Sequence, residues 1–212
     1  GREIGNLLVD HPDIARVSFT GGTTTGRQLA RQAAEKLMPV SLELGGKSPT
    51  IVFADADIDQ AIAGVLFGIF SSTGQSCIAG ARLFVERPIY DQFVSRLVDV
   101  TKRLKVGNPF EADTQVAPLI HFDHRESVAE HVEAARADGG EILCGGRAPE
   151  GADYAKGAYY LPTIIAGLPN TARLCREEVF GPVLAVLPFD SEEDVIAQSN
   201  DNSYGLALGL WT

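Results

Sequence analysis

A cysteine that could act as a nucleophile ends residues 74–77, Gly-Gln-Ser-Cys, directly after an apolar stretch with helical periodicity. A thiolate on a loop at a helix end can form a covalent bond to a substrate. A single cysteine is nevertheless more often an inert core residue, and its residue type alone leaves both interpretations of Cys77 open. Cys144 ends an apolar stretch and Cys175 falls in a predicted loop, so we interpret both as inert.

A carboxylate interrupts an apolar stretch at Glu43, just before Gly45 and Gly46 in the segment 42–49, Leu-Glu-Leu-Gly-Gly-Lys-Ser-Pro. Burial in such surroundings raises the pKa of a carboxyl group, which suits a general base. The alternative interpretation is a glutamate at a strand end that points into water.

A segment rich in glycine and threonine, residues 19–27, follows a predicted strand and opens a predicted helix. Glycines let a ligand approach the backbone, and the free N–H groups of a helix N-terminus bind phosphate. The spacing differs from the Gly-x-Gly-x-x-Gly motif, and an ordinary strand-to-helix turn with threonine caps is an equally good interpretation. The residues that would face a phosphate are Gly21, Gly22, Thr23 and Gly26.

Two adjacent carboxylates, Glu177 and Glu178, precede Phe180 and a Gly-Pro turn. A carboxylate can accept hydrogen bonds from ribose hydroxyls while an aromatic ring packs against a flat cofactor. On residue types alone, a charged segment leading into a strand is the more common arrangement.

Metal binding and other nucleophile motifs have little support in the sequence. His121 and His124 are close in sequence but lack a neighbouring cluster of cysteine or glutamate, so we predict no metal site. No Gly-x-Ser-x-Gly motif occurs, and the Gly145-Gly146 pair lacks the Lys-Ser/Thr of a phosphate-binding loop.

Apolar stretches of strand length alternate along the chain with stretches of helical periodicity. This alternation predicts an α/β fold with a mostly parallel sheet and helices on both faces. The predicted strands are residues 15–19, 40–44, 50–53, 82–86, 141–144, 159–165, 183–188 and 206–211. The predicted helices are residues 26–38, 58–70, 89–104, 125–137 and 191–199, and a helical pattern also begins the chain.

The composition is that of an ordinary globular chain, with 212 residues, 45% hydrophobic and 22% charged. The net charge of −10 argues against nucleic acid or an anionic membrane as a partner, because both attract a surplus of Lys and Arg. Three cysteines form no disulfide framework, which favours the cytoplasm. No signal peptide or membrane span is evident, and we expect that both ends of the sequence are cut within structural elements.

In their order and spacing, the four segments resemble the aldehyde dehydrogenase superfamily over the whole chain. Residues 42–49 resemble the family's glutamate signature and residues 70–77 resemble its cysteine signature. Glu43 and Cys77 are 34 residues apart, the usual interval in the family. Further matches are residues 19–26 with the cofactor loop, 177–183 with the ribose and nicotinamide contact, and 107–109 and 202–206 with structural motifs.

The resemblance implies a covalent mechanism of aldehyde oxidation. Cys77 would attack the aldehyde carbon, and its backbone N–H would donate to the oxyanion. Loss of hydride would leave a thioester, and Glu43 would activate the water that hydrolyses it. Acylating relatives resolve the thioester with coenzyme A and usually lack this base, so Glu43 favours hydrolysis to a free acid.

The resemblance also implies NAD or NADP as the cofactor. Glu178 would bind the nicotinamide ribose, Phe180 would pack near the nicotinamide ring, and the carbonyl of Leu44 would orient the carboxamide. Residues 21–26 would face the pyrophosphate. His124 stands where some members have a glutamine that contacts a ribose.

The resemblance divides the chain into two parts. Residues 1–45 would be the C-terminal part of the NAD(P)-binding domain, and residues 46–212 would be a catalytic domain truncated at its C-terminal end. The family's oxyanion asparagine and its oligomerisation strand have no counterpart in the sequence. We therefore expect the fragment alone to be inactive, and its parent enzyme to be a homodimer or homotetramer that acts on a small-molecule aldehyde substrate. The alternative is a catalytically silent binding or structural module with the same fold.

Overall fold

The computed structural model describes residues 1–212, apart from the side chain of Arg2. The helices in the described chain are α1 (Arg2–Asp10), α2 (Thr23–Ala34), α3 (Ile58–Phe70), α4 (Tyr90–Thr101), α5 (Phe122–Ala137), α6 (Arg173–Arg176) and α7 (Glu192–Asn200). Its strands are β1 (Val17–Thr20), β2 (Val40–Glu43), β3 (Pro49–Val52), β4 (Arg82–Glu86), β5 (Glu141–Cys144), β6 (Thr163–Ala166), β7 (Val183–Phe189) and β8 (Gly209–Trp211). Short 3-10 helices lie at Ser71–Gly74, Arg87–Ile89 and Ala152–Tyr154.

The chain forms two compact units, Gly1–Gly45 and Gly46–Thr212. In the first unit, β1 and β2 form a parallel pair in which Val17 lies opposite Val40. A small apolar core stabilises this unit, and its buried members are Val9, Ala33 and Met38.

The second unit contains a sheet with the strand order β5-β6-β7-β4-β3-β8. Neighbouring strands are parallel, with the exception of the antiparallel pair β5 and β6 at one edge. The predicted α/β fold with a mostly parallel sheet is therefore confirmed.

Helices cover both faces of this sheet, as predicted. Side chains alternate across a strand, so consecutive residues of β4 enter different cores. Leu83 and Val85 pack with the apolar residues of α3 and α4, whereas Phe84 packs with those of α5 and α7. The two cores together bury both faces, which explains the nearly continuous apolar sequences of β4 and β7.

The helix α3 follows the predicted bounds because its start and its buried face are both encoded locally. The Asp57 carboxylate accepts hydrogen bonds from the N–H groups of Asp59 and Gln60, at 3.0 and 3.1 Å, and thereby caps the helix. Val65 and Ile69 are buried on its apolar face. None of the described helices combines the length and apolar composition that crossing a membrane requires.

Two of the predicted strands are wrong in part. The strand predicted at 159–165 begins only at Thr163, because Pro162 has no N–H to donate to a neighbouring strand. Tyr159 and Tyr160 are buried. Their side chains pack into the core, although their backbone is not part of a strand. The strand predicted at 206–211 is shortened to β8, and Leu206 lies before it as an exposed residue.

The helix predictions also need correction. The helix predicted at 26–38 runs from Thr23 to Ala34. Leu37, inside the predicted range, has a positive φ of 51° and therefore cannot belong to the helix. Cys175, which we placed in a loop, lies in the single helical turn α6, where its N–H donates to the carbonyl of Ala172 at 3.0 Å. A helix of one turn is too short to produce a periodic pattern in the sequence.

The core packing of α3 gives a first prediction. Ile69 is fully buried, whereas Phe67 on the same helix is 76% exposed. We expect Ile69→Ala to lower the free energy of unfolding by about 3 kcal/mol. Phe67→Ala should change it by less than about 0.5 kcal/mol. Urea unfolding of the full-length protein measures both, and equal losses in the two variants would contradict the assigned core.

Candidate active site

Cys77 lies in the loop between α3 and β4. A 3-10 helix, Ser71–Gly74, follows α3, and a turn closed by a hydrogen bond from the Ala79 N–H to the Ser76 carbonyl at 3.1 Å contains Cys77. The Cys77 side chain is half-buried. Among the described residues, none accepts a hydrogen bond from the Cys77 N–H, so this donor is free for a ligand beside the thiol.

The backbone before Cys77 is strained. Ser72, Thr73 and Gly74 have φ values of 51°, 58° and 69°, which lie in the left-handed region. This conformation costs a residue with a β-carbon about 1–2 kcal/mol. Surrounding contacts must therefore hold Ser72 and Thr73 in place.

Two side-chain hydrogen bonds connect this loop to the segment 117–120. The Thr73 hydroxyl donates to the carbonyl of Ala117 at 2.9 Å, and Thr73 itself is buried. The side-chain oxygen of Gln75 accepts the N–H of Ile120 at 2.9 Å. These bonds satisfy polar groups at the loop and offset part of its strain.

Two glycines allow close backbone contacts around the loop. A β-carbon at Gly46 would lie 2.1 Å from the carbonyl oxygen of Cys77. A β-carbon at Gly74 would lie 2.2 Å from the carbonyl oxygen of Gly181. Both separations are far below van der Waals contact, so any side chain at either position must displace the neighbouring backbone. The segments at residues 46, 74–77 and 181 are thus in backbone contact.

The sheet explains why these segments meet. The strand β3 begins at Pro49, β4 begins at Arg82 and β7 begins at Val183. These strands are adjacent and parallel, in the order β7-β4-β3, so their amino ends lie at one edge of the sheet. The segments that precede them in sequence therefore converge at that edge.

Glu178 and Phe180 belong to this convergence. The N–H of Gly46 donates to the Glu178 carboxylate at 3.1 Å, and the Glu178 side chain is half-buried. Phe180 has a left-handed backbone with φ of 55°, and the residue is 39% exposed. Cys77, Glu178 and Phe180 are thus brought together by the second unit, and the aromatic ring remains open to a ligand.

The other two thiols are poor nucleophiles. Burial raises the pKa of the Cys175 thiol and also raises the pKa of the Cys144 thiol. A raised pKa keeps a thiol protonated near neutral pH, and a protonated thiol is unreactive. The structure agrees with the interpretation of Cys144 and Cys175 as inert residues.

A buried cation next to the site was missed by the sequence reasoning. Lys47 is only 2% exposed, and burial lowers the pKa of its ammonium group to about 8 against the attraction of charged neighbours that include Glu178. No described residue accepts a hydrogen bond from its Nζ. The sequence feature that could have indicated this burial is a lysine in the short turn between the apolar strands β2 and β3.

The histidine pair caps a helix. The Nδ1 atom of His121 accepts the N–H of His124 at 3.0 Å, at the N-terminus of α5. Within the described part of the chain, no group of three or more His, Cys, Asp or Glu side chains is arranged to hold a metal ion.

The glycine-rich loop lies in the first unit. The helix α2 begins at Thr23 with Gly22 as its N-cap, and no side chain of the described chain caps its first N–H groups. A cavity of about 710 Å³ borders this turn, and its lining includes Phe19, Gly21 and Thr24. The loop thus combines free donors with space for a phosphate-bearing ligand.

The end of β2 lies next to this loop. Gly26 is buried, and a β-carbon there would lie 2.5 Å from the Leu44 side chain, so glycine allows α2 to pack closely against Leu44. Glu43 is exposed, as in the alternative interpretation of a glutamate at a strand end that points into water. In the described chain β2 pairs only with β1.

The contact between Gly46 and Cys77 gives a second prediction. Because Gly46→Ala forces the Cys77 turn to move, we expect it to lower the free energy of unfolding by about 1–3 kcal/mol. The control is Gly68→Ala in α3, where a β-carbon meets open space. That variant should be neutral or stabilising by up to about 1 kcal/mol. Urea unfolding of the full-length protein checks both, and a neutral Gly46→Ala would show that the contact is not a constraint.

Comparison with known proteins identifies the family. The model of the aldehyde dehydrogenase family matches residues 1–212. The betaine aldehyde dehydrogenase of Brucella ovis is 44% identical over 210 residues, which cover 99% of this chain and 43% of that protein. The chain therefore spans less than half the length of this relative.

Solved structures agree. The crystal structure of HpcC from Thermus thermophilus matches with a TM-score of 0.97 at 42% identity, covering 100% of this chain and 42% of that one. Betaine aldehyde dehydrogenase from Staphylococcus aureus, in complex with NAD+, matches with a TM-score of 0.97 at 39% identity over 100% of this chain and 42% of that one. With a family match over its full length and these structural relatives, the chain belongs to the aldehyde dehydrogenase family.

Proposed function

We propose that the full-length protein containing this chain oxidises an aldehyde to a carboxylic acid with NAD+ or NADP+. The observation that carries this proposal is the half-buried Cys77 thiol with a free N–H beside it, in a loop kept close to Glu178 and Phe180 by glycine contacts. The NAD+ complex of the Staphylococcus aureus relative supports the cofactor class. In this proposal Gly1–Gly45 belongs to the NAD(P)-binding domain and Gly46–Thr212 to the catalytic domain.

Cys77 supplies the nucleophile. Its thiolate attacks the aldehyde carbon, a carbon–sulfur bond forms, and the electron pair of the carbonyl double bond moves to oxygen. The Cys77 N–H, which is unused by the described residues, is suited to donate to this oxyanion. The close backbone contacts at Gly46 and Gly74 hold the Cys77 loop in place. The Cys77 N–H and the Cys77 sulfur atom therefore keep a fixed distance and orientation.

When bound, the dinucleotide would accept a hydride from the former aldehyde carbon. As that carbon–hydrogen bond breaks, the electron pair on the oxygen re-forms the carbonyl, which leaves a thioester on Cys77. Glu178 would accept hydrogen bonds from the nicotinamide ribose, and the exposed ring of Phe180 would pack beside the nicotinamide. The backbone carbonyl of Leu44 would orient the carboxamide. The residues that would bind the pyrophosphate are Gly21, Gly22, Thr23 and Gly26, and the uncapped N-terminus of α2 with its adjoining cavity fits this role.

Glu43 supplies the general base for the last step. The thioester on Cys77 is hydrolysed by water, whose proton passes to the Glu43 carboxylate as the new carbon–oxygen bond forms. The exposed position of Glu43 at the end of β2 leaves its carboxylate free to accept that proton. Breakage of the carbon–sulfur bond then releases the acid and regenerates the thiolate.

Assembly belongs to the same proposal. We expect the full-length enzyme to be a homodimer or homotetramer, as the family resemblance implies. The edge strand β8 and the residues before it expose Leu208 and Leu210, at 59% and 54%. An unpaired edge strand with exposed apolar side chains is a suitable place for contact with further protein surface.

The role of Cys77 gives the third prediction. Cys77→Ala in the full-length protein should abolish aldehyde-dependent formation of NAD(P)H, because the raised pKa of the Cys144 and Cys175 thiols keeps them from replacing it, while leaving the affinity for the dinucleotide nearly unchanged. The matched control, Cys144→Ala, should keep activity close to that of the wild type. Steady-state assays with a panel of aldehydes, together with dinucleotide titrations, measure these effects. Near-normal turnover in Cys77→Ala would refute the covalent mechanism, and a wild-type protein without turnover would favour the silent module.

A further inference from the structure

His124 contacts the backbone of Phe180. Its ring Nε2 lies 2.7 Å from the Phe180 carbonyl oxygen, across 56 residues of sequence. Because a carbonyl oxygen can only accept, Nε2 carries the proton and donates it. The ring centroids of His124 and Phe180 are 6.2 Å apart. The His124 side chain therefore connects the first turn of α5 to the segment that carries Glu178.

The unfavourable backbone conformation of Phe180 requires a stabilising contact such as the hydrogen bond from His124. The Phe180 φ of 55° is unfavourable for a residue with a β-carbon, and within the described chain His124 is the group that binds its carbonyl. The next residue is confined on two sides. A β-carbon at Gly181 would lie 2.6 Å from the side chain of Val128 on α5, and the carbonyl of Gly181 lies against Gly74.

We propose that His124 is a positioning residue that fixes the left-handed conformation of Phe180 and thereby aligns the ring with the nicotinamide. This inference rests on the proposed function, in which Phe180 packs beside the nicotinamide. With its Nε2–H donated to the carbonyl of Phe180, His124 acts through the protein backbone, whereas the family resemblance implied a contact with a ribose.

The chemistry of the contact predicts which substitutions preserve it. Glutamine at position 124 offers an N–H at nearly the same distance from the backbone, so His124→Gln should keep the bond. His124→Ala removes the donor and releases the Phe180 carbonyl. Glu130→Gln is the control, because Glu130 is an exposed residue of the same helix.

The kinetic test compares these variants of the full-length protein. His124→Ala should slow hydride transfer about ten- to a hundredfold, because ring misalignment costs reactive geometry. The primary isotope effect on kcat with an aldehyde deuterated at its carbonyl carbon should rise, while the affinity for NAD+ changes little. His124→Gln should restore most of the rate, and Glu130→Gln should behave as the wild type. An unchanged isotope effect with normal turnover in His124→Ala would overturn the proposal.

A structural test is independent of activity. In a crystal structure of His124→Ala, Phe180 should leave the left-handed region, whereas in His124→Gln it should remain there. If Phe180 keeps its positive φ in His124→Ala, His124 does not position it, whatever the enzyme's turnover. Absence of aldehyde oxidation in the wild type would instead refute the proposed function, and the crystal structures would still decide the role of His124.

Discussion

The backbone contact between Gly46 and Cys77 is the constraint on which the rest of the site depends. A β-carbon on residue 46 would lie 2.1 Å from the Cys77 carbonyl oxygen, so the two segments can be this close only because residue 46 is glycine. The same Gly46 donates its N–H to Glu178. One residue without a side chain thus fixes the distance between the thiol segment and the segment of Glu178 and Phe180.

The contact between Gly46 and Cys77 lies at an unusual end of the parallel strands. Ligand sites of parallel sheets generally lie at the carboxyl ends of the strands. Here the convergent segments precede β3, β4 and β7, so they lie at the amino ends of these adjacent strands. Strain accumulates at the same edge, because Ser72, Thr73 and Phe180 are left-handed. The buried sheet and its two apolar cores supply the stability that offsets this strain.

Local signals in the sequence predict many of the helices and strands. The features that the sequence does not predict have identifiable physical causes. The helix α3 and the strands β4 and β5 occur at their predicted positions, because capping, periodicity and apolar runs are local signals. The order β7-β4-β3 includes the pairing of β4 with β7, which joins residues more than a hundred positions apart and which no local pattern encodes. The convergence of Cys77 with Glu178 could therefore be expected only from the family resemblance.

Tertiary effects also account for what the sequence reasoning missed. The burial of Lys47 and the lowered pKa of its ammonium group arise from packing around the start of β3. The bond between His124 and Phe180 joins two elements that are distant in sequence, so residue spacing gives no indication of it.

The most direct test of the account is to trap the covalent intermediate. Glu43→Gln in the full-length protein should slow hydrolysis of the thioester, so mixing with NAD+ and an aldehyde should add the mass of one acyl group to each chain. Peptide mapping by mass spectrometry should place that group on Cys77, and Cys77→Ala in the same background should remove it. An adduct on Cys144 or Cys175, or continued turnover of the Glu43→Gln, Cys77→Ala protein without any adduct, would contradict the account.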